Sequence, residues 1–143
     1  MKWRIRRSML HGTCRVPPSK SHTIRAVLIA TLAEGDSSIR GAMVGGDGES
    51  AMRVARAFGA NVNLQNDAVT ISGTGGELGG GQRECDCGNS GTTMRLFAGA
   101  AALGEMPRRF DGDASLRSRS MRPLLDALRG VGAQYTLLGD EGD

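Results

Sequence analysis

Residues 18–25 bring together side chains that suit the binding of a small anion. A serine here can cap a helix, and a helix N-terminus presents unpaired N–H groups and the positive end of the helix dipole. Lys20 adds a positive charge, Ser21 a hydroxyl donor, and Arg25 follows about one turn later. The segment therefore predicts a phosphate or carboxylate site. The alternative is that Ser21 only caps the helix while Lys20 and Arg25 face water. His22 is a candidate base, but an ordinary surface histidine is the favoured interpretation.

Residues 88–95 form a second candidate anion site, again between a predicted strand and the start of a predicted helix. Glycines such as Gly91 let an anion approach the backbone closely, and Asn89, Thr92 and Arg95 can donate hydrogen bonds. The alternative is a tight turn with a capping Ser or Thr.

Residues 113–122 carry the third candidate cluster, a polar segment with arginines at 117, 119 and 122. Because Arg117, Arg119 and Arg122 cannot all face solvent on one side, we expect at least one of them to point toward a ligand. The alternative is a solvated basic helix start, which the helix dipole disfavours. Neither a Ser/His/Asp triad nor a G-x-x-x-x-G-K-[ST] phosphate loop is visible in the sequence.

The elements that must position these segments follow from apolar periodicity, helix caps and glycines. The expected helices cover residues 19–33, 47–59 (with Asp47 as the N-cap), 92–103 and 121–129. The expected strands cover residues 38–42, 61–64, 68–72, 84–87, 108–112 and 133–138, with a short extended piece at 15–16, a hairpin turn at 65–67 and a polar loop at 113–118. Overlaying the halves aligns Thr23 and Arg25 with Thr93 and Arg95, which indicates two βαβαββ units of about 70 residues each.

Composition narrows the class of protein. The chain has 143 residues, 22 of them Gly and 3% aromatic, so we expect one ordinary domain with many turns and a core of Ala, Leu, Val, Ile and Met. All but two of the 18 basic residues are Arg, which favours an anionic partner, although a GC-rich genome explains the same bias.

Several partner classes are disfavoured by the same composition. The arginines are spread along the chain and cluster only at Arg4, Arg6 and Arg7, so a nucleic-acid partner is not expected. No apolar run approaches a membrane span or a signal peptide, which predicts no membrane partner and a cytoplasmic location. Cys85 and Cys87 predict buried reduced thiols rather than a metal site, because no histidine stands at ligand spacing.

The three segments, in this order, resemble the 5-enolpyruvylshikimate-3-phosphate synthase family. The matching strings are PSKSHTIRAVLIATLAEG, GNSGTTMRLFAGAAAL and DGDASLRSRSMRPLLDALRGVGA. The resemblance implies an α/β (α+β) chain with repeated βαβαββ units of the enolpyruvyl transferase inverse-barrel fold, two of the usual three units of one lobe. It further implies that residues 1–14 are a leading segment that normally joins the second lobe, residues 15–80 the first unit and residues 81–143 the second.

The resemblance also implies a reaction and a set of contacts, with no metal and no organic cofactor. The 5-hydroxyl of shikimate 3-phosphate would add to C2 of phosphoenolpyruvate while C3 is protonated, after which phosphate leaves. By motif position, shikimate 3-phosphate would contact Lys20, Ser21 and Arg25, and phosphoenolpyruvate would contact Lys20, Asn89, Gly91, Thr92 and Arg119. Lys20 would lie near the reacting centre as the catalytic residue, and Arg95 would support the site.

Two departures from the family pattern are visible. The position after Arg119 is commonly Pro in the family and here is Ser120, and Gly46 replaces an acidic residue often found before Asp47. Family members are also about three times as long. We therefore expect the N-terminal portion of such a transferase, inactive without a C-terminal complementing chain, and the rival hypothesis is a non-catalytic anion-binding module. Incomplete cover of helix faces at residues 26–32 and 96–103 predicts self-association, a partner or weak stability.

Overall fold

The computed structural model describes residues 2–65 and 68–138. Its helices are α1 (Lys20–Leu32), α2 (Asp47–Ala57), α3 (Gly91–Ala101), α4 (Ala114–Arg117) and α5 (Arg122–Gly130). Its strands are β1 (Asp36–Arg40), β2 (Asn61–Gln65), β3 (Ala68–Ser72), β4 (Glu84–Asp86) and β5 (Arg109–Asp111). The chain is therefore mixed α and β, as the sequence predicts.

The first half of the chain packs two helices on a three-stranded antiparallel sheet with the order β1-β3-β2. Central strand β3 pairs with both neighbours, and its alternate residues Val69 and Ile71 are fully buried. This alternation is what a strand with one covered face requires. The predicted hairpin is confirmed by the β2–β3 pairing, while its turn residues Asn66 and Asp67 lie outside the described residues.

The second half is built on two short parallel strands, in which Cys85 of β4 lies opposite Phe110 of β5. Parallel neighbours need a crossover, and α3 supplies it. The predicted strand at 133–138 is wrong, because these residues have no strand partner within the described part of the chain. Tyr135 instead donates a hydrogen bond to Asp126 of α5, at 2.7 Å between Oη and Oδ1.

Two further sequence predictions need correction at this level. The predicted polar loop at 113–118 contains helix α4, because the side chain of Asp113 accepts the Leu116 N–H and caps it. Asp47 is the first residue of α2 rather than its cap. The cap is Gly46, which has a positive φ of 56° and makes no side-chain cap hydrogen bond, and the Asp47 carboxylate contacts Lys20 instead.

The core lies where α1, α2 and α3 pack against one another and against the sheet. Most of it consists of small side chains, as expected, but its largest fully buried members are Phe58 and Phe97, whose ring centroids lie 5.2 Å apart in an edge-to-face contact. The expectation of a core without aromatics is therefore wrong at its centre. Phe58 also lies close to Phe110, so all three phenylalanines of the chain lie near one another.

Arg108 holds the glycine-rich connection between the first and second halves of the chain in place by hydrogen bonds. Its guanidinium lies 4.1 Å above the Phe58 ring and donates to four main-chain carbonyls, those of Ala57, Leu78, Gly80 and Gln82. One planar side chain with several donors thus holds a loop that has few side chains of its own. The loop's end leads directly into β4, which is followed by the turn and helix start of the second candidate site.

Several apolar surfaces remain uncovered. Ile29 of α1 is 68% exposed, Leu103 after α3 is 79% exposed, and α5 contains no buried residue. Residues 2–19 form neither helix nor strand and are exposed, including Trp3 and Leu10. The predicted incomplete cover of the helix faces is therefore present. Among the described residues, no helix is long and apolar enough to cross a membrane.

Candidate functional site

The N-terminus of α1 presents Lys20 beside an acidic partner. Ser19, rather than Ser21, is the N-cap, since its Oγ accepts the His22 N–H at 3.3 Å. No acidic side chain occupies the first turn of α1, and Lys20 Nζ instead lies 2.9 Å from Asp47 Oδ2 at the start of α2. A lysine at the positive end of a helix is electrostatically unfavourable in isolation. The Asp47 carboxylate offsets that cost and fixes the ammonium group between α1 and α2.

The N-terminus of α3 is formed by the predicted turn at 88–91. Gly88 has a φ of 56°, a conformation that favours glycine, and Ser90 caps the helix by accepting the Thr93 N–H at 3.3 Å. The first turn again has no acidic residue. The first intrahelical hydrogen bond of α3 runs from the Met94 N–H to the Ser90 carbonyl, so the N–H groups of Gly91 and Thr92 precede it. The Gly91 N–H donates to the Asn89 carbonyl at 3.2 Å.

Arg119 reaches this helix start from the loop after α4. Its Nη2 donates to Asn89 Oδ1 at 2.6 Å and to Ser115 Oγ at 3.1 Å. Arg117 turns away and makes a two-pronged contact with Asp111, at 2.8 Å for both hydrogen bonds. Arg119 is thus the arginine of this cluster that lies beside the start of α3.

The Arg117 contact has an electrostatic consequence. Its hydrogen bonds to the carboxylate, together with the Gly112 N–H, lower the pKa of Asp111 to about 2. The same pairing raises the pKa of Arg117. Both side chains therefore stay charged at neutral pH, and their contact anchors α4 to β5.

Arg95 links the helix start to the Arg119 loop. Its Nη1 donates to the Gly91 carbonyl at 3.2 Å and its Nη2 donates to the Ser120 carbonyl at 2.9 Å. The residue that follows Arg119 is thereby tied to α3. The supporting role that the resemblance implies for Arg95 stays a prediction, and the contact that it makes here is with Ser120, the position that the family commonly fills with proline.

These side chains meet around one cavity of about 490 Å³, a size typical of small-ligand sites. Its lining residues are Lys20, Asp47, Asn89, Gly91, Thr92, Arg95, Leu96 and Arg119. Three cationic side chains and one carboxylate leave the lining with a net positive charge. Together with the two helix N-termini, the lining can bind a ligand that carries phosphate and carboxylate groups.

Six of the eight predicted site residues line the cavity, and two do not. Ser21 and Arg25 lie on the exposed surface of α1, where Arg25 Nη1 donates to the Ser21 carbonyl at 3.0 Å. Sequence reasoning missed Asp47 and Leu96 as lining residues. The signal for Asp47 was its place at a helix start, but its pairing with Lys20 depends on the packing of α1 against α2.

The cysteine of β4, Cys85, and that of the turn after it, Cys87, do not line this cavity. Cys85 and Cys87 are buried and unpaired, which confirms the prediction of reduced buried thiols. Burial raises the pKa of Cys85 to about 11 and that of Cys87 to about 12. Thiols in this state are poor nucleophiles at neutral pH. Within the described ranges, no three His, Cys, Asp or Glu side chains come together as a metal site.

Fold and cavity together define an α/β protein with a positively charged cavity between the starts of two helices. The chain belongs to the EPSP synthase (3-phosphoshikimate 1-carboxyvinyltransferase) family, whose model matches residues 6–142. The match includes all three segments that line or flank the cavity.

Individual relatives agree with this assignment. A 3-phosphoshikimate 1-carboxyvinyltransferase of Methanothermobacter thermautotrophicus is 50% identical over 125 residues, covering 87% of this chain and 30% of the relative. That of Methanocorpusculum labreanum is 43% identical over 139 residues, covering 95% and 32%. The solved EPSP synthase of Acinetobacter baumannii superposes with a TM-score of 0.83 at 33% identity, covering 92% of this chain and 30% of that one. The chain thus spans about a third of the length of the relatives it matches.

Proposed function

We propose that the cavity binds phosphoenolpyruvate beside shikimate 3-phosphate, and that the chain contributes to transfer of the enolpyruvyl group to the 5-hydroxyl of shikimate 3-phosphate. The observation that carries the proposal is the cavity between the starts of α1 and α3, with its excess of positive charge. Family membership supplies the identity of the two substrates.

The lining suits phosphoenolpyruvate because this substrate carries a phosphate and a carboxylate as substituents of the same carbon, C2. We assign one anionic group to the first-turn N–H groups at Gly91 and Thr92, where the helix dipole favours negative charge. The Gly91 N–H would exchange its 3.2 Å contact with the Asn89 carbonyl for the anion. Arg119 offers a planar fork for the other group, and Asn89 lies between the two. Arg95 keeps the Arg119 loop against α3.

Shikimate 3-phosphate is assigned to the adjoining surface of α1. Ser21 and Arg25 lie four residues apart on the exposed side of this helix, next to Lys20 at the cavity. In this arrangement Lys20 contacts both substrates. Binding would require Arg25 to exchange its contact with the Ser21 carbonyl for a phosphate oxygen, which is the stronger acceptor.

Lys20 is the proposed catalytic residue. In the reaction the 5-hydroxyl loses its proton as its oxygen bonds to C2 of phosphoenolpyruvate, and C3 gains a proton. Departure of phosphate from C2 together with a proton from C3 then restores the carbon–carbon double bond. An ammonium group fixed near the departing phosphate stabilises the negative charge that develops there. Its contact with Asp47 at 2.9 Å holds it in the lining of the cavity before substrate arrives.

Turnover is expected to need groups that relatives carry in the two thirds of their length that this chain does not match. We therefore propose a complementing polypeptide as a partner for activity. The uncovered surfaces at Ile29, Leu103 and α5 offer apolar area for such a partner.

Two experiments test the proposal. Calorimetry of this chain with each substrate should show binding that weakens at least tenfold in Arg119→Ala and not in Arg129→Ala, a control on α5. Mixing the chain with the remaining two thirds of the Methanothermobacter relative should then restore release of phosphate. Binding without restored activity would favour the anion-binding module, and absence of binding would overturn the assignment of the cavity.

A further inference from the structure

Asn89 sits between two side chains of fixed hydrogen-bonding character. Its Nδ2 lies 2.7 Å from Asp113 Oδ2, and its Oδ1 lies 2.6 Å from Arg119 Nη2. A carboxylate only accepts hydrogen bonds and a guanidinium only donates them. The orientation of the Asn89 amide is therefore determined by its neighbours, with nitrogen toward Asp113 and oxygen toward Arg119.

Asp113 uses its two oxygens for separate tasks. Oδ1 accepts the Leu116 N–H at 2.8 Å and caps α4, while Oδ2 is committed to Asn89. Its backbone N–H donates to the Gly88 carbonyl at 2.9 Å, which keeps the two loops in register. The hydrogen bond from Asn89, followed by that from Leu116, lowers the pKa of Asp113, so the acceptor remains ionised at neutral pH.

We propose that Asp113 is a positioning residue, which sets the orientation of the Asn89 amide and thereby holds Arg119 over the cavity; this inference rests on the proposed function of that cavity. Asp113 does not line the cavity; its hydrogen bond reaches Asn89, and its charge also attracts Arg119, an attraction that both substitutions considered below remove. The other contacts of Arg119, with Ser115 Oγ at 3.1 Å and the Asn89 carbonyl at 3.4 Å, are longer than the contact that this orientation provides.

Two substitutions of Asp113 distinguish its role in orienting the Asn89 amide from its role in capping α4. In Asp113→Asn, Oδ1 still caps α4, but the new NH₂ group faces Asn89 Nδ2. Relief of this donor–donor contact requires the Asn89 amide to flip, which turns its own NH₂ group toward Arg119 and expels the guanidinium. In Asp113→Ser, the hydroxyl caps equally well and presents no opposing donor, so Asn89 Oδ1 can still accept from Arg119.

Asp113→Asn, which keeps the size of the side chain, should therefore weaken binding more than Asp113→Ser, which shortens it. Asp113→Asn should weaken phosphoenolpyruvate binding about tenfold, the loss of a hydrogen bond to a charged group, and Asp113→Ser by less than about threefold. A purely structural role in capping predicts nearly equal, small effects for both, since Asn and Ser cap as well as Asp.

The test combines calorimetry with NMR of the Arg119 guanidinium in the chain without ligand. We expect Asp113→Asn to shift and broaden the Arg119 resonances, Asp113→Ser to leave them nearly unchanged, and Asp126→Asn, which removes a carboxylate contact to Arg129 on α5, to leave them unchanged. Unchanged Arg119 resonances in Asp113→Asn, or an effect of Asp113→Ser as large as that of Asp113→Asn, would overturn the inference. Perturbed resonances in a chain that binds no phosphoenolpyruvate would support it while refuting the proposed function.

Discussion

Gly91→Ala should damage the cavity without destabilising the fold. Gly91 is the first residue of α3 and lacks a positive φ, so alanine fits the backbone. A Cβ atom at this position would lie 2.7 Å from Arg95 Nη1, 3.5 Å from Arg119 Nη1 and 3.6 Å from Leu116 Cδ1. Only the first distance is too short, and its atom is the end of a flexible side chain. Arg95 must therefore move.

The movement of Arg95 sets the size of the effect. Its contacts with the carbonyls of Gly91 and Ser120 share one guanidinium, so a displaced Nη1 also disturbs the tie to the Arg119 loop. Loss of one charge-assisted hydrogen bond costs about 1.5 kcal/mol, which corresponds to roughly tenfold weaker binding of phosphoenolpyruvate. Stability should stay within about 0.5 kcal/mol, because alanine restricts the unfolded chain and favours the helix.

The matched control is Gly99→Ala in the same helix, where an added Cβ meets nothing within 4 Å. It should raise the free energy of unfolding by about 0.5 to 1 kcal/mol and leave binding unchanged. Calorimetry with phosphoenolpyruvate and urea unfolding of both variants provide the readout. Unchanged affinity in Gly91→Ala, or an affinity loss matched by an equal loss in Gly99→Ala, would refute the reasoning about Arg95.

Three further predictions concern stability and reactivity. Arg108→Ala should lower the free energy of unfolding by about 3 kcal/mol, because its four hydrogen bonds to carbonyls disappear. Arg109→Ala should lower it by less than about 1 kcal/mol, because the contact of Arg109 with Glu84 is long and exposed. Equal urea midpoints for the two variants would contradict this prediction. The folded-state pKa of Asp111 is lowered to about 2, so its contact with Arg117 stabilises the fold above about pH 4 and is lost as the pH falls toward 2. Asp111→Asn should flatten the dependence of stability on pH in this range. The effect should not exceed about 1 kcal/mol, because both side chains are exposed. A disulfide reagent at pH 7.5 should label the exposed thiol of Cys14 and reach the two buried thiols only in denaturant, and labelling of three thiols in the native chain would contradict their burial.

Local signals in the sequence predict much of the scaffold. The capped start of α1, the β2–β3 hairpin and the turn before α3 each depend on residues close together in the chain, and all three are present. Spacing also indicates that Lys20 and Arg119 belong to anion-binding segments, and both line the same cavity.

Features that depend on distant packing could not be read in this way. The alternation at 133–138 indicates a strand, but a strand also needs a neighbour, and no described strand lies beside it. Arg108 and Arg109 look alike in the sequence, yet one faces four carbonyls and the other faces solvent. The partnership of Lys20 with Asp47 likewise exists only because α1 packs against α2.

The most direct test of the central claim is an NMR titration of the isotopically labelled chain with phosphoenolpyruvate. We expect saturable shifts at the backbone N–H groups of Gly91 and Thr92 and at the side chains of Lys20 and Arg119, with the resonances of Arg4, Arg6 and Arg7 unmoved. Shifts confined to those N-terminal arginines, or no saturable shift at the cavity, would contradict it.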